Sequence, residues 1–282
     1  MTTEQAELVV VFPVYNGAKT FLKSLECIAN QDFAAFRAII LENCSTDDTL
    51  SIAQAFCEKD SRFSVVRNSV HLSAQDNFTK AFELGAASGK FFCLRACDDF
   101  SSADFLGALV GALRLDEGRM LAAGSTKVIG KSTLKMKHPA SSVIDFRSSY
   151  EQGKVPRNLT FPAEWIYGVF RSGARDTIVR RWVELNNPWC SASYVLAEFI
   201  ARDLVVYVSG PTYDFVEGSG SEQKYGAKAF RDRLQQRLKY TFGCYKLVHI
   251  LPKAGLLTRM KFFRMCWNDA RRKTRYKLFW IF

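Results

Sequence analysis

The chain has 282 residues, of which 48% are hydrophobic, and a formal net charge of +11 at pH 7. That is enough apolar material to bury a full core in one α/β domain with elaborations, and no uninterrupted apolar run approaches the ~18 residues of a membrane-spanning helix. The eight cysteines include no C-x-x-C pair, and they read as free buried thiols in a reducing cytosol.

Polar Met1–Glu7 argues against a secretory signal peptide. Leu8–Val14 is a short apolar run that predicts a buried strand, and Tyr15-Asn16-Gly17 predicts the turn that ends it. Helical spacing then runs through Phe21, Leu22, Leu25 and Ile28. A second apolar run, Phe36–Leu41, ends at Glu42-Asn43. Ser45 and Thr46 follow as candidate N-caps of a helix outlined by Leu50, Ile52, Ala53 and Phe56. A third run, Phe63–Val66, leads through Arg67 and Asn68 to a helix predicted over 76–87. A fourth, Lys90–Cys97, closes on the adjacent pair Asp98 and Asp99. Four strand–helix alternations in this space predict a parallel sheet covered on both faces, of Rossmann type.

In such sheets ligands bind beyond the carboxyl ends of the strands. Tyr15-Asn16, Glu42-Asn43, the loop from Arg67 to Asn77 (with Asp76) and Asp98-Asp99 are therefore expected at one crevice. Two carboxylates side by side repel unless a cation or hydrogen-bond donors lie between them, which points to a metal–diphosphate or sugar site. The phosphate-cradling motifs G-x-x-x-x-G-K-[ST] and G-x-G-x-x-G are absent, so a divalent cation would have to neutralise a bound diphosphate. His71, His138 and His249 have no ligand spacing and read as structural or surface residues.

Val11–Gly17, Glu42–Thr49 and Ala96–Asp99, with Asn77–Leu84 and Ser88–Phe91, resemble the nucleotide-sugar domain of family 2 glycosyltransferases over roughly the first 110 residues. The resemblance implies a GT-A-like fold, with a mostly parallel sheet flanked by helices, and inverting transfer from a nucleotide-diphosphate sugar, by preference a uridine one. It implies that Pro13 and Tyr15 shape the base pocket. Glu42 and Asn43 would bond base and ribose, Asp98 would lie near the ribose, and Asp99 would hold Mn2+ or Mg2+. The family's usual first aspartate of the metal motif is read here as Cys97, a poor ligand for a hard cation.

Ser101–Leu115 predicts a helix and Leu121–Ile129 a strand, whereas 130–158 reads as a polar, mobile excursion able to cover substrate. Ala163–Arg171 is similar to an acceptor-side segment of the family, where Glu164, Trp165 and Tyr167 would present a carboxylate and rings to a sugar. Inversion needs a general base. The position where relatives often carry an acid reads Ser191-Ala192-Ser193, which leaves Glu198, Glu164 and Asp214 as rival bases and leaves open a loss of catalysis.

From Lys246 to Phe282 there are ten Lys or Arg against the single acid Asp269, +9 of the formal +11. Leu256, Met260, Phe263, Trp267 and Ala270 recur on one helical face among these cations. The pattern predicts a basic amphipathic extension lying on an anionic membrane surface, with a helix packed on the domain as the alternative. A nucleic-acid surface lacks any accompanying motif. The expected organisation is a transferase domain at 1–215, divided into a donor half (1–110) and an acceptor half (111–215), followed by a helical extension at 216–282. The expected place is the cytoplasm, at the inner face of the cell membrane, acting on a glycan or lipid-linked acceptor.

Overall fold

The computed structural model describes residues 6–130, 132–217 and 229–274. The chain packs as two compact units, one of residues 1–138, 164–180 and 206–219 and the other of 139–163, 181–205 and 220–282. The second unit thus groups 139–163 and 181–205 with the C-terminal helices, where the linear reading placed them in the acceptor half.

In the first unit, β1 (Ala6–Val14), β2 (Phe36–Glu42), β3 (Phe63–Arg67) and β4 (Gly89–Leu94) pair in parallel in the order β3-β2-β1-β4. The order continues through β8 (Val169–Arg171) and β6 (Leu121–Ile129) to β9 (Val205–Val216) and β5 (Phe100–Ser101), with the pairs β4–β8, β8–β6 and β9–β5 antiparallel. Alternate residues of β1 (Leu8, Val10, Phe12 and Val14) join Phe21, Leu25 and Ile28 of α1 (Ala18–Ala29) and Phe105, Leu109 and Leu113 of α4 (Phe105–Leu115) in one core. Two-residue periodicity on the strand meets 3.6-residue periodicity on the helices, so both sets face the same layer. Helix α2 (Thr49–Lys59) adds Ala53. Helix α3 (Ala74–Ser88) buries Ala81, Phe82 and Ala86, and it lies so close to β4 that a Cβ at Gly85 would stand 2.9 Å from the Phe92 ring.

Two local expectations are corrected. The cap of α2 is Asp48, with no side-chain cap bond, because Ser45 and Thr46 are occupied by bonds to Asn16 in the preceding turn. The polar excursion is also structured. β7 (Leu134–Lys137) pairs with β6, and α5 (Ser141–Ile144) and α6 (Phe146–Glu151) bury Val143, Phe146 and Tyr150. Those three apolar residues recur at intervals of three and four, the helical signal beneath the Ser- and Lys-rich composition.

Helix α7 (Arg175–Leu185) ends in the second unit, where α8 (Pro188–Ala201) is buried along most of its length. Asn187 caps α8 and Pro188 starts it. The unit is completed by α9 (Phe230–Tyr245) and α10 (Leu256–Thr274). Helix α10 buries Phe262, Met265, Cys266, Asp269 and Ala270, and the Phe262 ring meets Phe146 and Tyr150 at centroid distances of 5.8 and 5.5 Å. Arg272 and Lys273 donate to the carbonyls of Leu159 and Phe161 at 2.6 and 3.2 Å. Part of the basic tail is therefore a packing device. Arg275, Lys277 and the terminal Leu-Phe-Trp-Ile-Phe lie outside the described residues. Among the described residues no helix is long and apolar enough to cross a membrane.

Candidate active site at the strand ends

The loops after β1 and β2 are tied to each other before any ligand is considered. Asn16 sits at φ 51° and Cys44 at φ 57°, left-handed conformations that asparagine tolerates better than most residues. The Asn16 side-chain oxygen accepts from Thr46 N–H at 2.8 Å, and Asn16 N–H donates to Ser45 Oγ at 3.0 Å. Asp47 accepts from Ala18 N–H at 3.1 Å, and Gly17 N–H donates to Thr49 Oγ1 at 2.8 Å. A side chain at Gly17 has no room, since its Cβ would stand 2.9 Å from Val14 and 3.1 Å from Cys97 Sγ. This glycine lets the first loop close against the aspartate segment.

Glu42 and Asn43 turn inward. The Glu42 side chain is fully buried, with one oxygen accepting from Ser45 N–H and the other paired with Arg67 Nε at 3.0 Å. Asn43 accepts from Leu72 N–H and from the Asn68 amide, both at 2.9 Å, and donates to Leu72 O at 2.9 Å. Asn68 donates on to Asn77 at 3.0 Å and accepts from Lys80 at 2.7 Å. Asp76 forms a reciprocal cap with Ser73, the N-cap of α3. Glu42, Asn43, Asn77 and Asp76 thus take part in holding the loops.

The group they hold in place is a ring pair. Tyr15 and His71 lie with ring centroids 4.3 Å apart, and His71 Nδ1 is 3.1 Å from the Asn43 carbonyl oxygen. His71 is exposed and Tyr15 half-buried, beside the half-buried Pro13. By spacing alone His71 reads as a structural or surface residue, because its contact with Tyr15 joins two loops and carries no spacing signal.

The two aspartates divide. Asp99 is buried, and its two oxygens accept from Val216 N–H at 2.9 Å and Tyr213 OH at 2.8 Å. Burial and the Asp98 charge push its carboxyl up to about 7, against the lowering effect of these two donors. Asp98 is half-buried, is raised by desolvation, and bonds to no other side chain among the described residues. Each Asp99 oxygen thus already accepts a bond from β9, whereas Asp98 offers the carboxylate less engaged by the protein. Beneath them Arg95 is fully buried between the rings of Phe105 and Tyr213, with its charge centre 5.2 and 4.9 Å from their centroids. Its Nη1 donates to Phe100 O at 3.3 Å, while Nε and Nη2 have no hydrogen-bond partner among the described residues. Tyr167 stacks on Tyr213 at 4.9 Å with the planes 2° apart.

Among the described residues no three of His, Cys, Asp or Glu are placed to form a protein cage for a metal. Burial pushes the Cys97 thiol up to about 12, which disfavours the thiolate there. One available carboxylate still suits Mg2+ or Mn2+, which bind through one or two carboxylates with substrate phosphates supplying the rest.

The base candidates also separate. Glu198, in the second unit, is 3% exposed and pairs with Arg202 at 2.9 Å and Arg181 at 3.6 Å. A general base must reach the proton that it takes, whereas Glu198 is engaged in a buried ion pair. Ser191 and Ser193 donate to the carbonyls of Trp182 and Phe161 at 3.4 and 3.1 Å. Glu164 retains 19% side-chain exposure and pairs with Lys137 at 3.2 Å. Asp214 is held by Lys127 at 3.2 Å and Thr212 at 2.8 Å. Trp165 is buried and stacks on Tyr207.

A family profile described as Glycosyl transferase family 2 matches residues 9–178. The chain belongs to this family. An uncharacterized glycosyltransferase of Haemophilus influenzae is 27% identical over 108 residues, 38% of this chain and 33% of that relative, so the match spans only a third of the relative's length. Among solved structures, residues 1–349 of S. aureus TarS in complex with UDP-GlcNAc are similar at TM-score 0.63 and 14% identity, over 88% of this chain and 68% of that one. The mannosyltransferase PcManGT of Pyrobaculum calidifontis, in complex with GDP-Man and Mn2+, is similar at TM-score 0.56 and 14% identity, over 97% and 73%. These similarities show the GT-A-like fold that the family resemblance implies.

Proposed function

We propose that the chain is an inverting glycosyltransferase that moves a sugar from a nucleoside diphosphate, by preference uridine diphosphate, onto a surface-polysaccharide, lipopolysaccharide or other lipid-linked acceptor. The observation that supports it best is the available carboxylate of Asp98 at the end of β4 in a family 2 chain. Tyr15 and His71 receive the base on their ring faces. Glu42, Asn43, Asn68 and Asn77 fix the loops that carry those rings, so little ordering remains for donor binding. Asp99, bonded to Tyr213 and Val216, sets the backbone from which Asp98 projects. Mn2+ or Mg2+ bound with the donor would be held by Asp98 and would stabilise the charge of the departing diphosphate. Glu164 is the reading for the base: it takes the proton of the acceptor hydroxyl while that oxygen bonds to the anomeric carbon and the bond to diphosphate breaks. The donor complexes of TarS and PcManGT support the donor class.

The test is thermal stability with a panel of nucleoside diphosphates and their sugars, with and without Mn2+. A ligand at 100 times its dissociation constant adds about 2.7 kcal/mol. A Mn2+-dependent shift with one nucleotide, with turnover lost in Glu164→Gln at unchanged donor affinity, supports the reading. The absence of any shift overturns it. A second reading, donor binding without transfer, is favoured by one observation: the hydroxyls of Ser191 and Ser193 stand where relatives often carry an acid, and both are bonded to carbonyls. Donor binding with no turnover on any lipid-linked acceptor would select it.

A further inference from the structure

The apolar face expected along α10 divides in the structure. Ala270 is buried, whereas Leu256, Leu257 and Met260 in the first turns are 75%, 67% and 59% exposed. Phe263, half-buried, continues this stripe at the next helical interval and meets Phe242 of α9 at a centroid distance of 5.9 Å. Phe242 is 51% exposed, and Leu238, one turn before it on α9, is 37% exposed. Leu238, Phe242, Phe263, Met260, Leu256 and Leu257 therefore leave a water-facing apolar patch on the α9–α10 pair. Single exposed apolar residues are ordinary, but a contiguous set marks an interaction surface.

Charge identifies the occupant. Residues 238–264 contain six Lys or Arg and no Asp or Glu. Lys239, Lys246, Lys253, Arg259 and Lys261 are exposed, and none of them pairs with an acid among the described residues. A second copy of this chain would bring cations against cations across an isologous contact, which disfavours a dimer. Apolar side chains ringed by unpaired cations match the acyl boundary and the phosphate layer of an anionic bilayer.

We propose that the first turns of α10, with Phe242 and Leu238 of α9, form a docking face for an anionic membrane. The face inserts Leu256, Leu257 and Met260, while the surrounding lysines and arginines contact lipid phosphates. It is smaller than a helix lying in the interface along its whole length, because the C-terminal half of α10 packs inside its own unit.

The experiment is co-sedimentation of the full chain with vesicles of phosphatidylcholine mixed with phosphatidylglycerol, beside phosphatidylcholine alone. The comparison variants are Leu256→Glu with Met260→Glu, and Lys253→Gln with Arg259→Gln. These positions are exposed, and thermal melting and nucleotide binding of each variant check the fold and the donor site separately. Expected are binding to the mixed vesicles only, weakened by salt, and at least a tenfold loss in both double variants at unchanged nucleotide binding. Failure of the full chain to bind mixed vesicles, or equal binding by the Leu256 and Met260 variant, overturns the proposal. So does concentration-dependent dimerisation abolished by that variant in place of vesicle binding. Each outcome is read independently of donor binding, so the donor reading stands or falls on its own test.

Discussion

The end of β4 and the middle of α8 both hold carboxylates that the sequence marks as functional, and their surroundings are opposite. Glu198 is enclosed by Arg181 and Arg202, with 3% of its side chain exposed. Asp98 is half-buried beside a second carboxylate, with no other side chain bonded to it among the described residues, and the charge of buried Arg95 acts on Asp99. Burial of charge is common to both regions. What distinguishes a reactive carboxylate from a structural one is an incomplete set of internal partners, because only that leaves capacity for a ligand.

The comparison breaks most visibly at Glu198. Replacement by alanine takes one of two carboxylates from buried Arg181, which keeps only Glu184 at 3.4 Å, and is expected to cost about 3 kcal/mol, the low end for breaking a buried pair, read by denaturant unfolding, with donor affinity of the folded protein unchanged. A loss of turnover without a loss of stability would return Glu198 to the site. Asp98→Asn is the converse. It should lower turnover by on the order of 10²–10³ and abolish Mn2+-dependent donor binding, while stability moves by less than about 0.5 kcal/mol. Tyr213→Phe removes one of the two donors to Asp99 and should cost about 1–3 kcal/mol in stability, with weaker metal-dependent binding as a consequence of the displaced aspartate segment. Tyr15→Ala should weaken nucleotide binding about tenfold, in line with the ~1–3 kcal/mol of base stacking, and should act equally with and without metal.

A smaller effect separates the second unit by pH. Asp269 of α10 is buried, and desolvation raises its carboxyl above the ordinary value of 3.8 despite the Tyr240 hydroxyl at 2.7 Å. The folded state then holds this proton more tightly than the unfolded state. The stability it contributes is full below 3.8 and is lost as pH rises through the raised folded-state value. Melting temperatures across that range should fall more steeply for the wild type than for Asp269→Asn.

The parallel strands were legible because each is a continuous apolar run ended by polar residues, and the helices between them have clear spacing. The strand ends were legible too, since Tyr15, Glu42, Asn43 and Asp98 follow directly from where those runs stop. Roles within the site were not. Whether Asp98 or Asp99 faces outward depends on Tyr213 and Val216, which lie more than 100 residues away and reach Asp99 only through the folded β9. Glu198 looked available because Arg181 approaches it from another helix. His71 and Arg95 escaped notice for the same reason, since ring packing and burial across loops leave no mark on local periodicity.

The most direct test of the account is calorimetric titration of a uridine diphosphate sugar into the wild type, Asp98→Asn and Glu198→Gln, each with and without Mn2+. Metal-dependent binding is expected in the wild type and in Glu198→Gln, and none in Asp98→Asn. Equal binding by Asp98→Asn and the wild type would contradict it.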